Sequence, residues 1–117
     1  MFVHREKLKK EDLGGGVIMQ YLGCSNNMNV LHWNIADGGE VKLHSHEHEQ
    51  FGYVIKGGFD MRIGDARKTL GEGDCYFIGS KVPHTFVAIG ETEAIDVFSP
   101  FRTDLPGAPK DVRPFSQ

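Results

Sequence analysis

Cysteine and tryptophan are scarce in this chain, and long apolar runs are missing altogether. Its 117 residues include two cysteines, Cys24 and Cys75, and one tryptophan, Trp33. Two thiols so far apart are too few for a disulfide scaffold or a cysteine-built zinc site, so both are expected to be reduced. No stretch approaches the roughly 20 apolar residues of a membrane-spanning helix. The N-terminal MFVHREKLKKEDL lacks the apolar core of a secretory leader. A cytoplasmic protein without membrane contacts is expected. Basic charge is not in excess either: 13 Lys and Arg against 16 Asp and Glu leave a formal net charge of −3. A phosphate-binding face needs a Lys/Arg surplus. The one basic cluster, Arg5 to Lys10, is broken by Glu6 and followed by Glu11 and Asp12. It reads as a solvated segment, and nucleic acid is not an expected partner.

Helical periodicity is also missing: no segment longer than ten residues carries a 3.6-residue repeat of apolar positions. What the chain does have is glycine. Its 15 glycines separate short β-branched and aromatic runs at 17–22, 28–35, 51–57, 59–64, 74–79, 84–90 and 93–99. Many short strands with turn signals between them, such as ADGGE, KGG, GDARK and GEGD, predict an all-β sandwich or barrel. The length suits a single domain spanning 1–117, with a barrel core over about 17–99. A C-terminal strap over 100–117 holds four of the five prolines. Strand alternation puts His84, Phe86 and Ala88 on one face, and Ala94, Asp96 and Phe98 on one face with Ile95 and Val97 opposite. Both faces of these strands are largely apolar, which predicts a homodimer that covers the outer one.

The stretch HSHEHEQFGYVIKG, 44–57, crowds three imidazoles ahead of an apolar strand. His44 and His46, two apart on a strand, point to the same side and can hold one ion. His84 is the distant third imidazole on another predicted strand. The full spacing is Gly38-x5-His44-x-His46-x3-Gln50-x6-Gly57, then Gly73-Asp74-x4-Gly79-x4-His84.

This spacing resembles the two-motif signature of the cupin superfamily, small jelly-roll barrels with a double-stranded β-barrel core. In these the first motif supplies two His and a Glu or Gln, and the second a third His. The second motif usually reads G-D-x4-P-x-G-x2-H; Gly79 stands here at the proline and Lys81 at the glycine. The resemblance implies a metal held by His44, His46, Gln50 and His84. Family spacing and strand parity favour Gln50. The adjacent carboxylate of Glu49 is the better cation ligand in itself, and His48 has acceptable parity, so both stand as alternatives. Three neutral imidazoles and an amide leave a divalent charge uncompensated, which favours a small anionic substrate or an oxyanion forming beside the ion. Such a set does not choose among Zn, Ni, Fe, Mn and Co. His4 and His32 lie outside the motif and read as surface or packing residues.

Within the cupins the chain is similar to the KdgF-type pectin-degradation family. The features are Met1-Phe2, the triple glycine 14–16, the HSHxHEQ run at 44–50, the YVIKG turn and IDVFSPFRTDL at 95–105. That resemblance implies ring opening and ketonisation of 4,5-unsaturated monouronates from pectin or alginate breakdown, with Asp96, Phe98 and Arg102 as catalytic groups. The residues support these roles separately. Asp96 sits on an apolar strand where burial raises a carboxyl pKa, and Arg102 can fork onto a sugar carboxylate. Two other functions fit the same ligands: an iron-dependent dioxygenase, separable by oxygen uptake, and a non-catalytic small-molecule binder, separable by turnover.

Overall fold

In the strand Thr92–Ser99 every second side chain, Thr92, Ala94, Asp96 and Phe98, is buried, while Glu93, Ile95 and Val97 are half-buried on the other side. A ribbon with one covered face needs a second sheet opposite it. The computed structural model, which describes residues 1–108, supplies that sheet. Its strands are β1 (Glu11–Asp12), β2 (Val17–Cys24), β3 (Asn29–Ile35), β4 (Glu40–His44), β5 (Glu49–Lys56), β6 (Phe59–Ile63), β7 (Ala66–Leu70), β8 (Cys75–Ile78), β9 (His84–Ala88) and β10 (Thr92–Ser99). A six-stranded sheet in the order β1-β2-β3-β10-β5-β8 faces a four-stranded sheet in the order β4-β9-β6-β7, and the paired strands are antiparallel. The fold is all-β, two facing antiparallel sheets, as the sequence predicts. The one helical element among the described residues is a 3-10 turn, Arg5–Lys7.

The core fills the space between the sheets. Met19, Leu31, Val54, Phe59 and Ala94 are completely buried there, with Ile35, Met61, Ile78, Phe86 and Phe98 close behind. Three rows cross the inner face of the larger sheet, because directly paired residues point the same way. One runs Met19–Trp33–Ala94–Val54, the next Tyr21–Leu31–Asp96–Gly52–Tyr76, and the third Asn29–Phe98–Gln50–Ile78. The outer faces of the two sheets differ. The larger carries Phe51, Tyr53, Phe77, Ile95 and Val97. The smaller carries Glu40, Asp60, Arg62, Arg67 and Thr69 around Val87.

Seven expected strands are present with ends shifted by up to two residues, and three further strands appear. β7 lies where GDARK reads as a turn: only Gly64-Asp65 turns, with Gly64 at φ +58°, and Ala66 already pairs with Ile63. A two-residue hairpin loop needs positive φ, which glycine supplies without strain. β7 is exposed apart from Leu70. β4 buries little more, so neither strand shows the alternation that reveals a half-buried strand. Of the strap expected over 100–117, residues 100–108 run without strand pairing, and 109–117 lie outside the described residues.

Candidate metal centre and adjoining cavity

His44 reaches the interior through an irregularity in β4. Val41 pairs with Phe86, and His44 with His84, so three steps along β4 match two along β9. A bulge of this kind reverses the in-and-out order of the side chains beyond it. Leu43 is thereby turned outward, 55% exposed, and His44 faces in beside His84. The expectation that His44 and His46 share a strand face does not hold. His44 ends β4, and His46 lies in the loop 45–48 before β5, so a chain bend and not strand parity brings them together. The loop is fastened to the second motif by a hydrogen bond from the Lys81 N–H to the His46 carbonyl, 2.7 Å.

The three imidazoles converge. One ring nitrogen from each of His44, His46 and His84 lies within 4.8 Å of the others. Every Nδ1 faces a backbone carbonyl two residues away: Lys42 at 2.8 Å, His48 at 2.9 Å and Val82 at 2.9 Å. A carbonyl only accepts, so each Nδ1 carries the proton and each Nε2 keeps a free lone pair, the tautomer metal ligation requires. His84 Nε2 is buried with no hydrogen-bond partner among the described residues. Burial lowers the His84 pKa to about 4, with the nearby His44, His46 and Arg102 adding to the effect. His46 is lowered for the same first reason, then by the Arg102 charge. Gln50 Oε1 lies 3.1 Å from His46 Nε2. With the His46 proton on Nδ1, this sets two lone pairs face to face, and a shared cation resolves that conflict. The donor set therefore fits a divalent transition ion, with imidazole nitrogens and an amide oxygen. Glu49 pairs with Ser99 on the opposite face of β5 and is exposed. The His48 ring lies 5.7 Å from that of His46 and does not join the convergent group.

Next to Gln50 stands Asp96, 1% exposed. Its Oδ2 accepts from Trp33 Nε1 at 2.7 Å and its Oδ1 from the Tyr76 hydroxyl at 2.7 Å. The nearby Gln50 side chain also favours the charged form of Asp96. Burial pushes the Asp96 pKa up to about 6, against the polar side chains of Tyr76, Gln50 and Trp33, which favour the charged form. Tyr76 is the residue that sequence reading misses here, while Trp33, which the sequence leaves open as core or pocket wall, is both. Tyr76 is two strands away from Asp96 and reaches it across Gly52.

Phe98 and Arg102 complete the wall. The Phe98 ring lies edge-on to His46 at 5.5 Å, and the Arg102 guanidinium stacks on it at 5.0 Å. His44, Gln50, Asp96, Phe98, Arg102 and Trp33 all border one cavity of about 180 Å³. That is smaller than the roughly 300–1,000 Å³ of drug-sized sites, so it suits a small ligand. His32 points the other way, with Nε2 2.6 Å from Glu93, and His4 is exposed.

The cupin domain family matches residues 31–98. The pectin degradation protein KdgF of Dickeya dadantii is 31% identical over 97 residues, covering 81% of this chain and 88% of that protein. Among solved structures, an RmlC-like cupin from Shewanella frigidimarina aligns with a TM-score of 0.84 at 34% identity, over 88% of this chain and 93% of the other. KdgF from Halomonas sp. aligns with a TM-score of 0.84 at 25% identity, over 89% and 96%.

Proposed function

The chain belongs to the cupin family, and from that premise we propose that it is a metal-dependent enzyme that opens and ketonises 4,5-unsaturated monouronates. The observation that carries this reading is a convergent imidazole cluster whose His44 borders a small cavity also lined by Gln50, a buried carboxylate, Asp96, and an arginine, Arg102. The resemblance to KdgF along most of both chains supports the substrate class.

His44, His46, His84 and Gln50 would hold the ion, which when bound supplies Lewis acidity toward the sugar's oxygens. Arg102 holds the substrate carboxylate and Phe98 packs against the ring. Opening the hemiacetal of an unsaturated uronate leaves an enol, and ketonisation moves its proton from oxygen to carbon. On this reading Asp96 takes and returns that proton, and its hydrogen bonds from Trp33 and Tyr76 support the role by holding it still. The protein acts as a homodimer on this reading. The face carrying Phe77, 71% exposed, and Tyr53, 41% exposed, packs against its copy.

Elemental analysis of the purified protein, together with the ultraviolet absorbance of an unsaturated monouronate, tests the proposal. Stoichiometric divalent metal and loss of absorbance are expected; a metal-loaded protein that leaves the sugar unchanged would exclude the reaction.

A further inference from the structure

Arg102 is fixed from four sides. Its backbone N–H donates to Asn29 Oδ1 at 2.6 Å, and its carbonyl accepts from the Tyr21 hydroxyl at 3.1 Å. Asn29 is completely buried on β3 and Tyr21 is 8% exposed on β2, so an irregular segment is anchored to the rigid sheet. Phe98 lies under the guanidinium plane. Asp104 closes the last side, with Nε to Oδ1 at 3.0 Å and Nη2 to Oδ2 at 2.8 Å. The Arg102 side chain is 12% exposed and Asp104 62%.

This arrangement uses the guanidinium unevenly. Asp104 occupies the edge formed by Nε and Nη2, while Nη1 has no hydrogen-bond partner among the described residues. The free edge, Nη1 with the second Nη2 proton, is a planar two-donor fork matched to a carboxylate. The charges balance as well. A bare guanidinium beside an imidazole cluster that takes a divalent cation would be repelled by it. The Asp104 carboxylate offsets that without entering the cavity, which it does not line.

We propose that Asp104 is a positioning residue that presets Arg102 as the cavity's carboxylate fork, making the site selective for anionic over neutral ligands. This rests on the reading of Arg102 as the anion-binding group. A long side chain ordered before the ligand arrives avoids the entropy of ordering it on binding. Removing Asp104 also removes a negative charge, which by itself strengthens anion binding. A loss of affinity can therefore come only from orientation.

Trp33 is the sole tryptophan and borders the cavity, so its fluorescence reads binding directly. The test is titration of the full-length, metal-replete protein with galacturonate and with galactose, its neutral counterpart. The parent should prefer galacturonate, and Arg102→Ala should abolish the preference. Asp104→Ala should weaken galacturonate by about 3- to 10-fold, the cost of ordering one long side chain, and leave galactose unchanged. Asp104→Glu, which keeps the charge, should recover part of the loss. Equal or tighter galacturonate binding by Asp104→Ala, or an equal loss for both sugars, overturns the proposal while leaving Arg102 as the anion site. A parent that shows no preference for galacturonate overturns both.

Discussion

Gly52 and Tyr76 face each other across β5 and β8, and the side chain that Gly52 lacks is the space the tyrosine ring fills. A Cβ at position 52 would overlap the ring and hydroxyl of Tyr76. That hydroxyl is one of the donors that hold Asp96. Gly52→Ala is therefore expected to destabilise the fold by about 1–3 kcal/mol, the usual range for overpacking a filled core, measured as a shift in denaturant midpoint. Tyr76→Phe keeps the ring and removes only the hydroxyl. It should cost about 1.5–3 kcal/mol, as for hydrogen bonds to charged groups. If Gly52→Ala is neutral, the ring does not need that opening.

Chelation should lower the melting temperature, because the ion binds only the folded barrel. His84→Ala should lose most of the metal and remain folded. Gln50→Ala should reduce metal content far more than Glu49→Ala, since Gln50 faces inward and Glu49 outward. The reverse order, by elemental analysis, would assign the fourth ligand to Glu49.

In turnover assays, Asp96→Asn should lose at least about a hundredfold in kcat, as general acid–base groups contribute ~10²–10⁴-fold, with the metal retained and little change in affinity. Arg102→Ala should act mainly on KM, because a charge-assisted pair worth roughly 1.5–3 kcal/mol is lost. Equal turnover by both variants and the parent would remove these residues from the mechanism.

Lys81 has φ +65° where the cupin motif usually has glycine. A left-handed residue with a Cβ costs roughly 1–2 kcal/mol, and glycine gives back about 0.5–1 kcal/mol of that through its more mobile unfolded chain. Lys81→Gly should thus stabilise the protein by about 0.5–1 kcal/mol. Because the Lys81 N–H bonds the His46 carbonyl, metal affinity should be unchanged or higher. A lower melting temperature would mean that the lysine side chain offsets the strain.

Gel filtration should give a dimer. Phe77→Glu, which places a charge on the apolar outer face of the six-stranded sheet, should produce a monomer. Thr69→Glu on the polar outer face of the other sheet should not. If both variants elute like the parent, that face is not the interface.

The inner rows of β9 and β10 are legible in the sequence because each strand is covered on one side and alternates accordingly. The imidazoles are legible because their spacing is regular. The route by which His44 turns inward is not, since a bulge depends on how many residues of β4 meet β9, a property of the pairing and not of either segment. Edge strand β7 hides for a related reason: its side chains face water, so hydrogen bonding alone defines it. Asp96 stands out as an acid in an apolar strand. Its donors Trp33 and Tyr76 come from β3 and β8, and only the neighbour order of the sheet brings them together.

The donor cluster also lies across a seam. His44 and His84 belong to the four-stranded sheet and Gln50 to the six-stranded one, with His46 on the loop between β4 and β5. An ion gripped by all four would couple the breathing of the two halves. Amide exchange near the barrel mouth should then slow in β4, β9 and β5 together when the site is filled, and quicken together when it is emptied. The cluster would in that sense act as a clasp for the barrel as well as a seat for chemistry.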